Sequence, residues 1–395
     1  MVLGSKPSDT IQDGTDYMMA SESVALVQCG YKTFVDILPG QAVIIEKGKL
    51  PVFHQVHEQL NYAPDIFEYV YFARPDTIID GIDVDDARRN MGYKLAGTIR
   101  KQLGPVLEEV DVVMPIPETS ITSALCVAES LRKPYCQGFV KNRYIFRTFI
   151  MPNQKLRQKG VRAKLNPMKK KFEGKNVLLV DDSIVRGTTS REIVMMAREA
   201  GAKKVIFTSC SPPITNVHIY GIDLASSSEL IAHHRNELDI AKIIGADVVI
   251  YQTLSDLEAA CAALSPRDPA TQRFEVGVFC GKYITPVDDA YFQHLEQVRG
   301  LKRKAKAEEA ARQAIIQGLA SIEQIKPTKN GYQVETYGNI VTRENGMLQN
   351  QILDLNTNGK SHDDTGNEVK KELDKDKQVR ESQDISLHNL NDYRE

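Results

Sequence analysis

The sequence predicts an α/β protein built around a parallel sheet. From about Phe67 to Ile284, apolar runs of strand length alternate with helical stretches, and this alternation is typical of parallel sheets with crossover helices. The expected strands cover residues 110–116, 135–140, 177–180, 204–210 and 248–252. Helices are expected near Ile121–Leu131, which is rich in alanine, and over residues 191–200.

Different patterns flank this α/β region. The first part of the chain contains short strand-like runs separated by turns, which predict a β-rich segment; the runs cover residues 24–28, 42–46 and 52–57. Residues 288–319 predict a helix, whereas residues 327–395 have few apolar side chains and are expected to be disordered. We therefore divide the chain into a β-rich segment (1–57), an α/β domain (58–286), a helical region (287–324) and a tail (325–395).

Composition excludes several classes of protein. The 395 residues are 42% hydrophobic and have a formal net charge of −2, so a sizeable core is expected and no nucleic-acid partner is indicated. No apolar run reaches the length of a membrane span, and residues 1–16 lack the basic and apolar parts of a signal peptide, so a cytoplasmic protein with no membrane partner is expected. The six cysteines form no Cys-x-x-Cys pair, which argues against structural zinc and disulfides and predicts buried free thiols.

The strongest functional signal follows the third expected strand. The apolar run 177–180 leads into Asp181 and Asp182, whose carboxylates can accept hydrogen bonds from the 2- and 3-hydroxyls of a ribose and from the waters of a magnesium ion. The motif is completed by Ser183, Gly187, Thr188, Thr189 and Ser190. Gly187 lets the backbone approach an anion, and hydroxyls at a helix start suit a phosphate. Because no Walker sequence is present, the motif predicts a site for a ribose 5-phosphate; the alternative is a buried strand with an acidic helix cap.

Two further loops add polar groups. Residues 115–120 follow the first expected strand, and by themselves they fit an ordinary turn that caps the next helix equally well. Residues 141–165 form a basic stretch, which alone is typical of a solvated or nucleic-acid-binding surface. Its cations are Lys141, Arg143, Arg147, Lys155, Arg157, Lys159, Arg162 and Lys164.

Taken together, these segments resemble the amidophosphoribosyltransferases, which form 5-phosphoribosylamine from phosphoribosyl pyrophosphate and ammonia in the first committed step of purine biosynthesis. The match runs from about Ala20 to about Leu319, and it depends on residues 111–120, 141–144, 147–150, 177–190, 220–223 and 229–233. The resemblance implies a type I phosphoribosyltransferase sheet with helices on both faces. It also implies that residues 1–57 are the remnant of an N-terminal-nucleophile glutaminase domain.

The resemblance assigns roles to individual residues. The positions matching Thr119, Asp181 and Asp182 bind Mg²⁺ in that family, and the loop 115–120 faces the pyrophosphate leaving group. Cations matching Lys141 and Lys164 lie near the pyrophosphate, on a mobile loop that closes over it. The remaining residues of the motif are implied to bind the ribose 5-phosphate. A general base is not evident, and since ammonia is already a nucleophile, alignment and electrostatics suffice for the reaction.

The resemblance also implies partners. Purine nucleotides are expected as feedback inhibitors, and a homo-oligomer is expected. Some members of the family contain an iron–sulfur cluster held partly by a Cys-x-x-Cys near the C-terminus; residues 274–280 lack that pair, so no cluster is expected here. The adjacent pair His233-His234 is expected to cap a helix or lie at the surface, because neighbouring side chains on a helix diverge.

The start of the chain departs from the family pattern. The family begins with a glutaminase domain whose mature N-terminal cysteine is the nucleophile. Here Met1 precedes Val2, and the first cysteine, Cys29, is expected to be buried in a strand. We therefore expect no glutaminase activity and only the ammonia-dependent half-reaction. Two alternatives remain: a regulator that binds phosphoribosyl pyrophosphate, which would need a DNA-binding element, and a nucleobase phosphoribosyltransferase, which would need an aromatic-lined hood.

Overall fold

The computed structural model describes residues 1–142, 162, 164–222, 224, 226–298, 326–328 and 331–333. The chain divides into two compact units, Met1–Gln313 and Ala314–Glu395. Of the helix expected over residues 288–319, residues 289–298 are helical, residue 288 is not, and residues 299–319 lie outside the described residues. Within the second unit, the strands Lys326–Thr328 and Gly331–Gln333 pair with each other in antiparallel fashion. The disorder expected for the rest of the tail also concerns residues outside the described ones.

The first 57 residues form two small antiparallel sheets. Strands β1 (Val2–Pro7), β2 (Thr15–Ala20) and β3 (Thr33–Asp36) lie in the order β2-β1-β3. Strands β4 (Gln41–Ile44) and β5 (Val52–Gln55) form a separate pair, close to the positions expected. Strands β1, β2 and β3 were not predicted.

One predicted strand in this segment is wrong. Residues 24–28 belong to helix α1 (Ser23–Gln28), whose Leu26 packs with Val2 and Tyr31. A short apolar run has the same composition in a strand and in a buried helical turn, so tertiary packing decides between them. Cys29 consequently follows a helix and is exposed, against the expectation that it would be buried in a strand.

The α/β domain follows. Its elements are a π-helical turn (Glu68–Phe72), β6 (Ile78–Ile79), β7 (Ile82–Asp83), α2 (Val84–Leu103), a 3₁₀ turn (Gly104–Glu109), β8 (Val112–Pro115), α3 (Ile121–Leu131), β9 (Phe139–Lys141), β10 (Leu165–Pro167), α4 (Lys169–Phe172), β11 (Asn176–Asp181), α5 (Thr188–Glu199), β12 (Lys204–Ser209), a 3₁₀ turn (Ser227–Glu229), α6 (Glu237–Ile244), β13 (Val248–Tyr251), α7 (Leu254–Ala262) and α8 (Gly277–Cys280). None of the helices in the described part of the chain combines the length and the apolar character that a membrane crossing requires.

The central sheet is parallel, with the strand order β13-β12-β11-β8. Side chains of β11 alternate between two cores, because successive residues of a strand point to opposite faces. Leu178 and Val180 belong to a core that includes residues of α2, α3 and α7. Val177 and Leu179 belong to a second core, with residues of α5 and α6. The predicted parallel sheet with helices on both faces is therefore confirmed.

The strand expected over residues 135–140 forms only in part. Tyr135 makes a single parallel bridge with Val113 of β8, and the chain then leaves the sheet. Phe139 packs on Phe172 with ring centroids 5.0 Å apart, and β9 pairs antiparallel with β10. The pairing partner β10 begins at Leu165, more than 20 residues further along the chain. The apolar pattern of residues 135–140 therefore gave no indication of this pairing.

The cysteine prediction was correct for some thiols and wrong for others. Cys126, Cys210 and Cys261 are buried and Cys136 is half-buried. Cys29 and Cys280 are exposed, so the expectation of burial was wrong for these two. Burial raises the pKa of the Cys210 thiol to about 12, which makes it unreactive near neutral pH.

Candidate active site

The chain changes direction across the sheet between β8 and β11. Tyr135 lies on one side of Val113 of β8, and β11 lies on the other side. In open α/β sheets, ligands bind at such a switch point, outside the carboxyl ends of the strands. The two loops that begin there are residues 115–120 after β8 and residues 181–190 after β11. Both loops are among the three segments that the sequence predicted to be functional.

The structure brings Thr119, Asp181 and Asp182 together at this edge. The Thr119 hydroxyl donates a hydrogen bond to Asp182 Oδ2, although the two residues are 63 positions apart in the sequence. Ser183 Oγ donates to Asp182 Oδ1 over 2.6 Å, and the Asp182 backbone N–H donates to Asp181 Oδ1 over 3.0 Å. Both carboxylates are buried. The expected ribose and magnesium residues thus form one contiguous oxygen cluster.

The electrostatics of this pair favour a bound cation. Burial and the neighbouring charge of Asp182 raise the pKa of Asp181 well above its usual value. Burial also raises the pKa of Asp182, although hydrogen bonds from Ser183 and Thr119 and the charge of Arg88 oppose that shift. A divalent cation would relieve the repulsion between the two carboxylates.

The donor set fits Mg²⁺ bound largely through water and substrate. In the described ranges, no group of three or more His, Cys, Asp or Glu side chains is placed to hold a metal ion. Magnesium usually keeps several waters and is bound by one or two carboxylates plus phosphate oxygens of the substrate. Two adjacent carboxylates and a threonine hydroxyl meet that requirement, so the predicted magnesium residues Thr119, Asp181 and Asp182 remain a prediction that this geometry supports.

Arg88 is a buried cation whose charge acts on Asp182, and it was not predicted. It is buried on helix α2, and its guanidinium donates to the backbone carbonyls of Tyr69 (3.0 Å), Tyr71 (3.3 Å) and Ala73 (2.8 Å). Burial lowers the pKa of Arg88, and the charge of Asp182 is the largest influence opposing that shift. An arginine among the apolar positions of an amphipathic helix is the sequence signal that would have identified it.

The loop before α5 has the backbone geometry expected of a phosphate site. Gly187 has φ = 71° and immediately precedes the first residue of the helix. Within the described residues, no side chain caps this end, so its N–H groups remain available to an anion. Thr188 and Thr189 are exposed beside it, whereas Ser190 is buried.

The segment 229–233 packs against this loop and is hydrogen-bonded to it. The Ile231 N–H donates to Val185 O over 2.9 Å, and a Cβ added at Gly187 would lie 2.2 Å from Ile231 Cδ1. His233 Nδ1 lies 3.0 Å from Thr215 O, so this histidine contacts backbone. Segments 229–233 and 181–190 both contributed to the family resemblance, and in the structure the first packs on the second.

Gly187→Ala tests this packing. The left-handed backbone and the contact with Ile231 should together cost about 2 to 4 kcal/mol of unfolding free energy. Gly245 is the matched control, because it also has a positive φ of 82°, but its added Cβ would meet only Val194 Cγ1 at 3.8 Å. Gly245→Ala should therefore cost only about 1 to 2 kcal/mol. Equal losses in denaturant unfolding of the two variants would contradict the steric role of Ile231.

The predicted lysines lie at the two ends of the basic stretch. Lys141 ends β9, and its Nζ lies 2.8 Å from Glu118 Oε2. Lys164 precedes β10, and its carbonyl accepts from the Asn142 N–H over 2.7 Å. Residues 143–161 and 163 lie outside the described residues, and so does the predicted closing loop. The role of both lysines in binding pyrophosphate stays a prediction.

Clefts elsewhere on the surface do not include these groups. Two of these clefts have volumes of about 260 and 250 Å³, and both are lined partly by Tyr62 and Ala63. Neither contains a residue of the loops after β8 and β11. The open edge of the sheet, which has the convergent polar groups, is the better candidate because chemistry depends on those groups.

The parallel sheet and its carboxylate edge define a domain of the type I phosphoribosyltransferase class. No family model matches the chain. Several curated relatives that it matches are amidophosphoribosyltransferases. That of Schizosaccharomyces pombe is 50% identical over 330 residues, which cover 80% of this chain and 60% of the relative. That of Saccharomyces cerevisiae is 54% identical over 292 residues (73% and 56%), and that of Escherichia coli is 51% identical over 307 residues (77% and 59%).

Solved structures agree with the sequence relatives. The glutamine phosphoribosylpyrophosphate amidotransferase from B. subtilis, complexed with ADP and GMP, has a TM-score of 0.60 and 39% identity, covering 73% of this chain and 60% of that one. The chain spans about three fifths of the length of the curated relatives it matches. The predicted resemblance is confirmed: over about three quarters of its own length, the chain is a relative of the amidophosphoribosyltransferases.

Proposed function

We propose that this chain transfers the phosphoribosyl group in an amidophosphoribosyltransferase reaction, forming 5-phosphoribosylamine from phosphoribosyl pyrophosphate and ammonia in the cytoplasm. The observation that carries the proposal is the cluster of Thr119, Asp181 and Asp182 at the switch point of the sheet, directly before an uncapped helix start. The sequence identity of about 50% to amidophosphoribosyltransferases supports ammonia as the acceptor of the phosphoribosyl group.

Each part of the substrate has a chemical counterpart in the site. Asp181 and Asp182 accept hydrogen bonds from the ribose hydroxyls, and together with Thr119 they would hold Mg²⁺. The 5-phosphate binds at the helix start after Gly187, with hydroxyls from Thr188 and Thr189. When bound, the metal neutralises charge on the pyrophosphate.

The reaction itself requires alignment more than acid–base chemistry. The lone pair of ammonia forms a bond to C1 of the ribose while the bond from C1 to the pyrophosphate oxygen breaks, and the bond pair leaves with pyrophosphate. The new amine then loses a proton to solvent. Lys141 and Lys164 are proposed to receive the leaving pyrophosphate, because cations placed where negative charge develops lower the barrier.

Purine nucleotides are proposed as inhibitors of this chain. The B. subtilis relative was solved with ADP and GMP. A purine nucleoside monophosphate contains the same ribose 5-phosphate group as the substrate, so the loop that follows β11 would accept its phosphate and its ribose hydroxyls. We also propose that the chain forms a homo-oligomer and contains no iron–sulfur cluster.

An acceptor assay tests the proposed function. The 395-residue chain is incubated with phosphoribosyl pyrophosphate, Mg²⁺ and ammonium at alkaline pH, where free ammonia is abundant, and pyrophosphate release is measured. Release that depends on ammonium is expected. Release with adenine, guanine or uracil but not with ammonium would favour a nucleobase phosphoribosyltransferase. Binding of the substrate without release in any mixture would favour a regulator.

A further inference from the structure

We infer that Glu118 acts as an internal competitor of pyrophosphate: its carboxylate holds the Lys141 ammonium in the free protein and exchanges it for the leaving group when substrate binds. The inference rests on the proposed function, because it concerns how the site for pyrophosphate is occupied before substrate arrives. It adds a residue and a regulatory step that substrate binding alone does not require.

The geometry places this carboxylate at the reaction edge. Glu118 immediately precedes Thr119, whose hydroxyl touches Asp182, so Glu118 lies on the loop between the carboxylate cluster and β9. Its Oε2 lies 2.8 Å from Lys141 Nζ, which is within hydrogen-bonding distance. Glu118 is the one acidic residue in the loop 115–120. The ion pair therefore joins the loop after β8 to the first cation of the basic stretch.

The Glu118–Lys141 ion pair can readily exchange one anionic partner of the lysine for another. The side chains of Glu118 and Lys141 are 59% and 41% exposed, and an exposed ion pair contributes little to stability. An ammonium group is a compact charge, and phosphate oxygens are acceptors of the same kind as a carboxylate but with more negative charge. Pyrophosphate would therefore displace Glu118, and the freed carboxylate would return to water at little cost.

Arg162, another described cation of this stretch, is held quite differently. Arg162 makes two hydrogen bonds of 2.9 Å to Glu199 and a third of 3.0 Å to Glu192, whose side chain is only 5% exposed. Hydrogen bonds with Glu199 and Glu192 raise the pKa of Arg162. Such a pair would not release its cation to a ligand, so Lys141 is the cation of the two that is suited to exchange.

Binding of inorganic pyrophosphate in the presence of Mg²⁺, measured by calorimetry, tests the exchange. Glu118→Gln should tighten pyrophosphate binding by about twofold to fivefold, since Lys141 no longer has a competing partner. Lys141→Met should weaken it. In the Lys141→Met background, Glu118→Gln should have no further effect, because the competition requires the lysine.

A second ion pair supplies the control. Lys204 Nζ lies 2.7 Å from Glu109 Oε2, with side chains 33% and 54% exposed, and β12 begins at Lys204, at the opposite end of the sheet from the site. Glu109→Gln removes the same charge without touching the loops, so pyrophosphate affinity should stay unchanged. Thermal unfolding of each variant confirms that the fold is retained.

The outcomes separate this inference from the proposed function. Unchanged or weaker binding by Glu118→Gln would overturn the exchange, and so would equal tightening in the Lys141→Met background, which would indicate simple repulsion of an anion by Glu118. Failure of the unsubstituted chain to bind pyrophosphate would overturn both. Ammonium-dependent pyrophosphate release by the unsubstituted chain, with no effect of Glu118→Gln on binding, would leave the function standing and refute the exchange alone.

Discussion

Asp181→Asn and Asp182→Asn are each expected to lower ammonium-dependent pyrophosphate release at least about tenfold, which corresponds to about 1.4 kcal/mol of transition-state stabilisation. An amide keeps the shape of the carboxylate but loses the charge that holds Mg²⁺ and one acceptor for the ribose hydroxyls. Initial rates at saturating phosphoribosyl pyrophosphate, with a magnesium titration for each variant, measure the effect.

The same substitutions should not weaken the fold. Both carboxylates are buried side by side, and burial raises the pKa of each, so their ionised forms cost stability at neutral pH. Removing one charge should leave the unfolding free energy unchanged or higher, as is common at functional sites. Asp111→Asn is the control, since Asp111 is exposed before β8 and accepts from the Asn176 N–H over 2.7 Å. Rates equal to those of the unsubstituted chain in both site variants would refute the assignment.

Arg88→Met is expected to cost about 3 kcal/mol or more in unfolding free energy. The substitution leaves two buried and one part-buried backbone carbonyl of the segment 69–73 without their donor, and it removes a cation whose charge acts on Asp182. Each unsatisfied buried group costs about 1 to 3 kcal/mol, and an uncompensated buried charge adds to that. Equilibrium unfolding in denaturant measures the loss.

Arg100→Met, on the same helix, is the matched control. Arg100 is exposed and its guanidinium donates to Ser130 O over 2.8 Å. Its loss should cost less than about 1 kcal/mol, because water replaces the donor at an exposed carbonyl. A loss at Arg88 no larger than that at Arg100 would contradict the view that Arg88 holds the segment 69–73 in place.

The central strands and helices of the α/β domain were predictable because each is encoded by a contiguous run of residues. Helix α3 lies at the residues expected. The ends of β11, β12 and β13 differ from those of the predicted strands by no more than one residue. Fully buried parallel strands are continuous apolar runs, which are easily recognised in a sequence. The N-terminal segment was harder, since β1 and β2 show no regular alternation of polar and apolar residues, and the run at 24–28 became a helix.

The sequence by itself determined the order of chemical groups after each strand: the carboxylates Asp181 and Asp182, then Gly187 at a helix start. These are neighbours along the chain, so backbone geometry alone keeps them together. The family resemblance implied that Thr119 joins them, but only the tertiary structure decided the contacts that distant groups make. Thr119 contacts Asp182 across 63 positions, and Glu118 meets Lys141 across 23 positions. Arg88 comes from a helix that no motif marked. Such contacts depend on how the strands and helices pack, and no local pattern of residues encodes that packing.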